Sequence, residues 1–189
     1  MNHVDVAPFE AKFRADPDPW RFATSDYEQR KYDLSATTLP RRRYSRAFEP
    51  GCAIGELTKR LAGRCDQVEA IDASPTACRL ARDTCAGLTN VNIAVGELPS
   101  DWPAGTFDLI VLSEIGYYFD LPALAALRDR AVDCLEPGGT LLAVHWRGRS
   151  DDHLLSGDAV HGSLRAGLGL QPLVRHHEPD FILDAWERT

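Results

Sequence analysis

From Tyr44 onward, short apolar runs alternate with segments of helical periodicity, and this alternation restricts the fold more than any other feature. Residues 44–49, 68–72, 91–95, 107–112 and 140–146 read as strands. The run at 107–112 is apolar enough to be buried on both faces. Between the strands lie a helix carrying Leu57 and Leu61 on one face, a helix opened by Ser74-Pro75, and a helix capped by Asp120. The third has Leu124, Leu127, Ala131 and Leu135 at helical spacing and is stopped by Pro137-Gly138-Gly139. Parallel strands need crossovers of this kind. Another helix is predicted near 158–168. Residues 173–176 and 181–186 are separated only by His177-Glu178-Pro179-Asp180, too short for a crossover, so they should form an antiparallel hairpin. The expectation is an α/β fold: a doubly wound seven-stranded sheet, mostly parallel with one antiparallel strand.

The first forty residues differ. They predict a short helix around 9–14, a Pro-rich turn through Asp16-Pro17-Asp18-Pro19-Trp20, and a second helix capped by Ser25 or Asp26 and closed by Pro40. The reading is an N-terminal helical cap at 1–40 on a domain at 41–189. The whole, at 189 residues, has the size of one domain.

A net charge of -7 argues against a nucleic-acid partner. Arg41-Arg42-Arg43 with Arg46 is read as a solvated approach to the first strand, not a phosphate patch. Five cysteines, odd in number and with no CxxC pair, suggest neither a disulfide framework nor a metal site. The first residues lack the basic and apolar regions of a signal peptide, and no apolar run is long enough to cross a bilayer. The expectation is a cytoplasmic protein with no membrane partner. Oligomeric state is left open.

In open α/β sheets ligands bind beyond the carboxyl ends of the strands. Here that place is Glu49-Pro50-Gly51-Cys52-Ala53-Ile54-Gly55-Glu56. Gly51 permits a tight turn and close ligand approach, and Gly55 opens the next helix. A phosphate-cradling loop needs Gly-Lys-Ser/Thr after four intervening residues, where the chain following Gly51 has Glu56-Leu57-Thr58. A dinucleotide fingerprint needs glycines where the chain has Ala53 and Glu56, and the acid would repel a pyrophosphate. A phosphate-free ligand carrying a sulfonium and an amino group tolerates Glu49 and Glu56. Asp72 ends the second strand about twenty residues on, where a carboxylate can accept from both ribose hydroxyls; capping is the alternative, but Ser74 already fills that role. Glu97 follows the third strand and is either an acceptor for an adenine amino group or a solvated loop acid.

These residues resemble the class I S-adenosylmethionine-dependent methyltransferases over roughly 44–189. The matching pieces are residues 49–58, Asp72-Ala73-Ser74-Pro75, Gly96-Glu97-Leu98, Phe107-Asp108-Leu109-Ile110 and Leu135-Glu136-Pro137-Gly138-Gly139. Asp18-Pro19-Trp20-Arg21, Gly51-Cys52-Ala53 and Glu114-Ile115-Gly116-Tyr117-Tyr118 further resemble the nodulation protein S family, which N-methylates a glucosamine. The resemblance implies S-adenosyl-L-methionine as cofactor and S-adenosyl-L-homocysteine as product. It places the cofactor on Glu49, Gly51, Cys52, Ala53, Gly55, Asp72, Ala73, Glu97, Leu98 and Ser113, with Trp20 reaching over from the cap. Ala53 stands where the wider class has its central glycine, and His145-Trp146-Arg147 departs from the nodulation proteins.

Methyl transfer from a sulfonium requires alignment, and an amine acceptor must also lose its proton. Glu114 after the fourth strand and His145 ending the fifth are the catalytic candidates; a structural pairing is the alternative for each. Tyr117, Tyr118 and Arg147 are candidates for holding the acceptor, a small molecule or an oligosaccharide. An aromatic wall near a sulfonium would gain cation–π attraction. His161, His176 and His177 read as ordinary surface or hairpin residues. N-methylation, O-methylation and a domain that holds the cofactor without catalysis all stay open.

Overall fold

Every segment read as a strand forms one in the computed structural model, which describes residues 4–166 and 169–189. The chain divides at residue 105 into two units, 5–104 and 105–189, the latter including Val4.

Residues 5–104 contain α1 (Ala7–Ala15), α2 (Asp26–Thr38), β1 (Tyr44–Pro50), α3 (Glu56–Ala62), β2 (Cys65–Asp72), α4 (Pro75–Thr84) and β3 (Val91–Val95). Their strands are parallel in the order β3-β2-β1. Ser25 caps α2, and Ser74 caps α4 by accepting from the Ala77 N–H at 3.0 Å. Leu57 and Leu61 both turn inward from α3, each stabilising the unit by roughly 2 kcal/mol through removal from water. Behind β2, Cys78 and Ala81 of α4 and Cys85 just past its end join Cys52, Ala70 and Ile93 in one cluster. Small side chains let the helix lie close: a Cβ on Gly55 would stand 3.1 Å from Ala81 Cα. Of the arginine run, Arg43 pairs with Asp66, and Arg46 pairs with Glu69 at 2.5 Å.

Residues 105–189 contain β4 (Phe107–Ser113), a 3-10 turn (Gly116–Tyr118), α5 (Leu121–Cys134), β5 (Leu135–Trp146), α6 (Gly157–Ala166), β6 (Leu170–His177) and β7 (Phe181–Arg188). The order is β4-β5-β7-β6, with β4 parallel to β5 and β7 antiparallel to both neighbours. Every residue of β4 is buried, the polar Asp108 and Ser113 among them. Asp120 caps α5, its Oδ1 accepting from the Ala123 N–H at 2.8 Å. The seven strands thus belong to one mostly parallel sheet with a single reversed strand.

Strands β2 and β6 begin three residues earlier than the sequence reading, and the junction of α5 with β5 differs most. Helix α5 ends at Cys134, and β5 starts at once with Leu135, which pairs with Phe107. Pro137 disfavours helical backbone at Glu136, so the helix stops earlier than its apolar spacing suggests. The register then slips before Leu109 meets Thr140, accommodating Gly138 at φ 72°. Arg188 Nη1 covers the exposed end of α5, donating to the carbonyls of Val132 (2.9 Å), Asp133 (3.3 Å) and Leu135. For α6 the predicted last residues, Gly167 and Leu168, lie outside the described residues.

All five cysteines are buried thiols. Among the described residues no helix is long and apolar enough to cross a membrane, and no cluster of histidine, cysteine or acidic side chains could hold a metal ion.

Candidate functional site

In residues 5–104 the turn after β1 is built on alternate left-handed residues: Gly51 at φ 74°, Ala53 at 48° and Gly55 at 84°. The amides of Gly51 and Cys52 both donate to the Ile71 carbonyl, at 2.7 and 3.0 Å, so the turn is tied to the end of β2. Asp72 completes that tie. Its Oδ2 accepts from the Ala53 N–H at 2.9 Å and its Oδ1 from the Ser74 N–H at 2.9 Å. Each oxygen retains capacity for a second donor, since a carboxylate oxygen carries two lone pairs. Burial pushes the Asp72 carboxyl up; the Ser74 and Ala53 amides oppose the rise, and the charge of Glu10 adds to it.

Glu49 is buried at the end of β1, its Oε2 accepting from Thr58 Oγ1 at 2.6 Å. Burial pushes its carboxyl up to about 8 against the opposing Thr58 hydrogen bond, with the Asp72 charge adding to the rise. The segment 49–58 carries no basic residue. A half-buried Asp72 carboxylate and a buried Glu49 carboxyl that a nearby cation would ionise, around a turn without a basic residue, fit a positively charged, phosphate-free nucleoside and not a pyrophosphate. Glu56, at the start of α3, is paired with Arg60 at 3.1 Å and bonded to Gln29 of α2. Cys52 points into the cluster behind the turn, and burial raises its thiol well above the ordinary range. Ala73 is half-buried beside Asp72. The Gly96 amide donates to the Asp72 carbonyl at 3.0 Å, bringing Glu97 and the buried Leu98 to the same strand end. The Glu97 amide is held by Asp101 Oδ2 at 2.9 Å.

The N-terminal helices attach to this turn. Trp20 stacks on Phe22 (centroids 5.5 Å) and meets Phe13 edge-on (5.3 Å), and the group packs with Ala53, Ile54 and Ala77. Glu10 of α1 reaches the start of α4. Its Oε2 accepts from Ser74 Oγ (2.6 Å) and the Thr76 N–H (3.1 Å), and its Oε1 from Thr76 Oγ1 (2.8 Å) and Arg14 Nε (2.6 Å). The Ser74 hydrogen bond foremost, with those from Thr76 and Arg14, outweighs desolvation and holds the Glu10 carboxyl at about 2. Nothing in the local sequence around Glu10 signals this contact across 64 residues.

In residues 105–189 the candidate side chains gather around the end of β5. Ser113 is buried at the end of β4, and Glu114 follows it in left-handed backbone at φ 55°. Its amide donates to the Val144 carbonyl at 2.8 Å. Its Oε2 accepts from Tyr117 Oη (2.5 Å) and from the Trp146 N–H (3.0 Å). Tyr117 is buried and stacks on His153 with centroids 3.7 Å apart; the half-buried Tyr118 meets His153 edge-on. His145 is fully buried, with the Gly116 N–H donating to its Nε2 at 2.9 Å. The guanidinium of Arg147 is engaged by Asp158 at 3.0 and 3.1 Å and by the Glu178 carbonyl at 2.9 Å. His161, expected at the surface, is instead fully buried, with Nε2 3.1 Å from His145 Nδ1 and Nδ1 2.7 Å from Asp184 Oδ2. Sequence reading missed it because its partners come from β5 and β7 and leave no local pattern.

A family model described as Nodulation protein S (NodS) matches residues 9–160. The Nodulation protein S of Sinorhizobium fredii is 28% identical over 150 residues, covering 78% of this chain and 63% of that protein. The chain therefore spans about three-fifths of the length of the curated relatives it matches. A crystal structure of a candidate methyltransferase from Pseudomonas syringae is similar at TM-score 0.77 and 46% identity, covering 86% of this chain and 99% of that one. The N-methyltransferase NodS from Bradyrhizobium japonicum WM9, in complex with S-adenosyl-L-homocysteine, is similar at TM-score 0.81 and 24% identity, covering 96% and 97%. The sheet is that of the Rossmann-like methyltransferases, among whose structures the Bradyrhizobium one holds S-adenosyl-L-homocysteine. Within that class, the chain belongs to the nodulation protein S family.

Proposed function

We propose that this chain transfers a methyl group from S-adenosylmethionine to an amine of a small molecule, of the amino-sugar or amino-oligosaccharide type. The observation that carries the amine is Glu114, a carboxylate set at the end of β4 by Tyr117 and the Trp146 amide. The N-methyltransferase activity named for the Bradyrhizobium relative agrees with it.

The cofactor supplies a methyl already activated by the positive sulfur, so the chain's work is to hold, orient and deprotonate. Asp72, anchored by the Ala53 and Ser74 amides, accepts from the ribose hydroxyls. The turn at Gly51–Gly55, with Glu49 behind it, favours the cationic end, and Glu97 with Leu98 serves the adenine. Trp20, with Phe13 and Phe22, packs the N-terminal helical segment against that turn. Glu114 accepts a proton of the acceptor amine, and Tyr117, bonded to it, keeps that carboxylate in place. Tyr118 offers the acceptor an aromatic face. His145, whose Nε2 takes the Gly116 amide, acts on the loop and not on the acceptor.

The test is a labelled-methyl assay against glucosamine, partly deacetylated chito-oligosaccharides and small phenols, with calorimetry on S-adenosyl-L-homocysteine. Label in the amino sugars is expected, with Glu114→Gln losing about 10²-fold in turnover while keeping its product affinity. Label confined to phenols overturns the amine reading in favour of O-methylation. No binding of cofactor or product at millimolar concentration overturns the methyltransferase reading itself.

A further inference from the structure

The histidines at the end of β5 form a directed chain. The Gly116 amide can only donate, so His145 Nε2 must be its acceptor and carry no proton. The proton of a neutral His145 ring therefore sits on Nδ1, facing His161 Nε2 at 3.1 Å. That nitrogen in turn accepts, which leaves the His161 proton on Nδ1, directed at Asp184 Oδ2 at 2.7 Å. Asp184 ends the chain as an acceptor. Its Oδ2 also receives Arg165 Nε at 3.1 Å, and its Oδ1 receives His177 Nε2 at 3.1 Å. Both histidine rings are fully buried and Asp184 is 1% exposed, so water does not share these bonds.

The other end of the chain is the loop that carries Glu114 and Tyr117. Gly116 has no room for a side chain: a Cβ there would stand 2.5 Å from Val160 Cγ1 and 2.9 Å from His145 Nε2. Backbone and imidazole meet at a spacing only glycine allows. With the Glu114 amide on Val144 and the Trp146 amide on Glu114, the loop is tied to β5 at three places. Of these, only the Gly116 tie depends on which nitrogen of a side chain bears a proton.

We propose that His161 and Asp184 are positioning residues: by fixing the His145 tautomer with Nε2 open as an acceptor, they hold the Gly116–Tyr118 turn and so keep Glu114 and Tyr117 set for the acceptor. The bearing on methyl transfer rests on the reading of Glu114 given above; the tautomer chain does not. Without His161, the buried Nδ1–H of His145 loses its acceptor. That unpaired buried donor is relieved only by turning the ring away, which loosens the bond from the Gly116 N–H to Nε2.

Imidazole ¹⁵N NMR of the intact wild-type chain tests the chain of donors directly. Protonated Nδ1 and unprotonated Nε2 are expected on both His145 and His161. A proton on His145 Nε2 overturns the proposal, and this measurement needs no variant to fold. In His161→Leu, Gly116 amide exchange should quicken by at least tenfold with S-adenosyl-L-homocysteine affinity changed less than twofold. Unchanged Gly116 exchange in a folded His161→Leu also overturns it. Finally, His145→Gln places a carbonyl oxygen where Nε2 stood, and His145→Leu does not. Slow Gly116 exchange restored by Gln and not by Leu supports positioning; equal loss in both refutes it. Failure of cofactor binding in the wild type would count against the methyltransferase reading, leaving the tautomer result to stand or fall alone.

Discussion

The Asp72 carboxylate receives the amide of Ala53 at 2.9 Å, joining the end of one strand to the turn after its neighbour. Its second oxygen receives Ser74 at the same distance. In Asp72→Asn one of these positions becomes an NH₂ facing an N–H, a buried conflict costing about 1–3 kcal/mol. Affinity for S-adenosyl-L-homocysteine, read by calorimetry, should fall at least about tenfold. Wild-type affinity in the variant would separate the anchor from the ligand.

Glu49 is expected to make both stability and cofactor affinity depend on pH. Its folded carboxyl, at about 8 against an ordinary 4.5, holds its proton more tightly than in the unfolded chain. The associated stability is complete below about 4.5 and is lost as pH rises through about 8. Thermal unfolding of wild type and Glu49→Gln should therefore agree at pH 5 and diverge toward pH 9, with Gln the more stable. A cation bound nearby favours the ionised form, so S-adenosylmethionine affinity should climb from pH 6 to 8.5 in the wild type and stay flat in Gln. Parallel profiles would show that the ligand's charge does not sense Glu49.

Ala53 holds a left-handed φ of 48° that L side chains disfavour by about 1–2 kcal/mol. Ala53→Gly relieves this, less the entropy that glycine adds to the unfolded chain and the methyl's packing against the Phe13–Ile54 group. A net gain of about 0.5–1 kcal/mol in denaturant unfolding is expected. A loss of stability would mean that the packing outweighs the backbone.

Glu10 is expected to stabilise the folded chain in a pH-dependent way. Its folded carboxyl lies near 2, below the ordinary 4.5, so its contribution is present above about 4.5 and disappears as pH falls through about 2. Glu10→Gln should cost about 1 kcal/mol at pH 7, comparable to losing a helix cap, with the gap closing on acidification. A gap independent of pH would assign the effect to packing of α1.

What could be read from the chain beforehand follows from how local each signal is. Ser25, Ser74 and Asp120 announce their helices because a cap acts within three residues. The four-residue link before Phe181 forces a hairpin through geometry alone. That the turn at Gly51 would lie beside Asp72 was legible because the turn and the next strand end have a characteristic separation. The roles of Glu10, His161 and Asp184 depend on partners brought close by tertiary packing, and no periodicity encodes those meetings. The Leu135 boundary was misplaced for a related reason: its apolar side chain suits a helix face and a strand equally well.

The carboxylate that α1 lays on Ser74 and Thr76 has one more effect. The first amides of a helix ordinarily welcome an anion, and α4 starts directly beyond Asp72. Here the protein has installed its own anion in that berth, so a sugar esterified with phosphate meets an occupied seat and a negative charge. The anion position at the start of α4 is thereby filled by a residue of the N-terminal helix, 64 residues away from Ser74 in sequence.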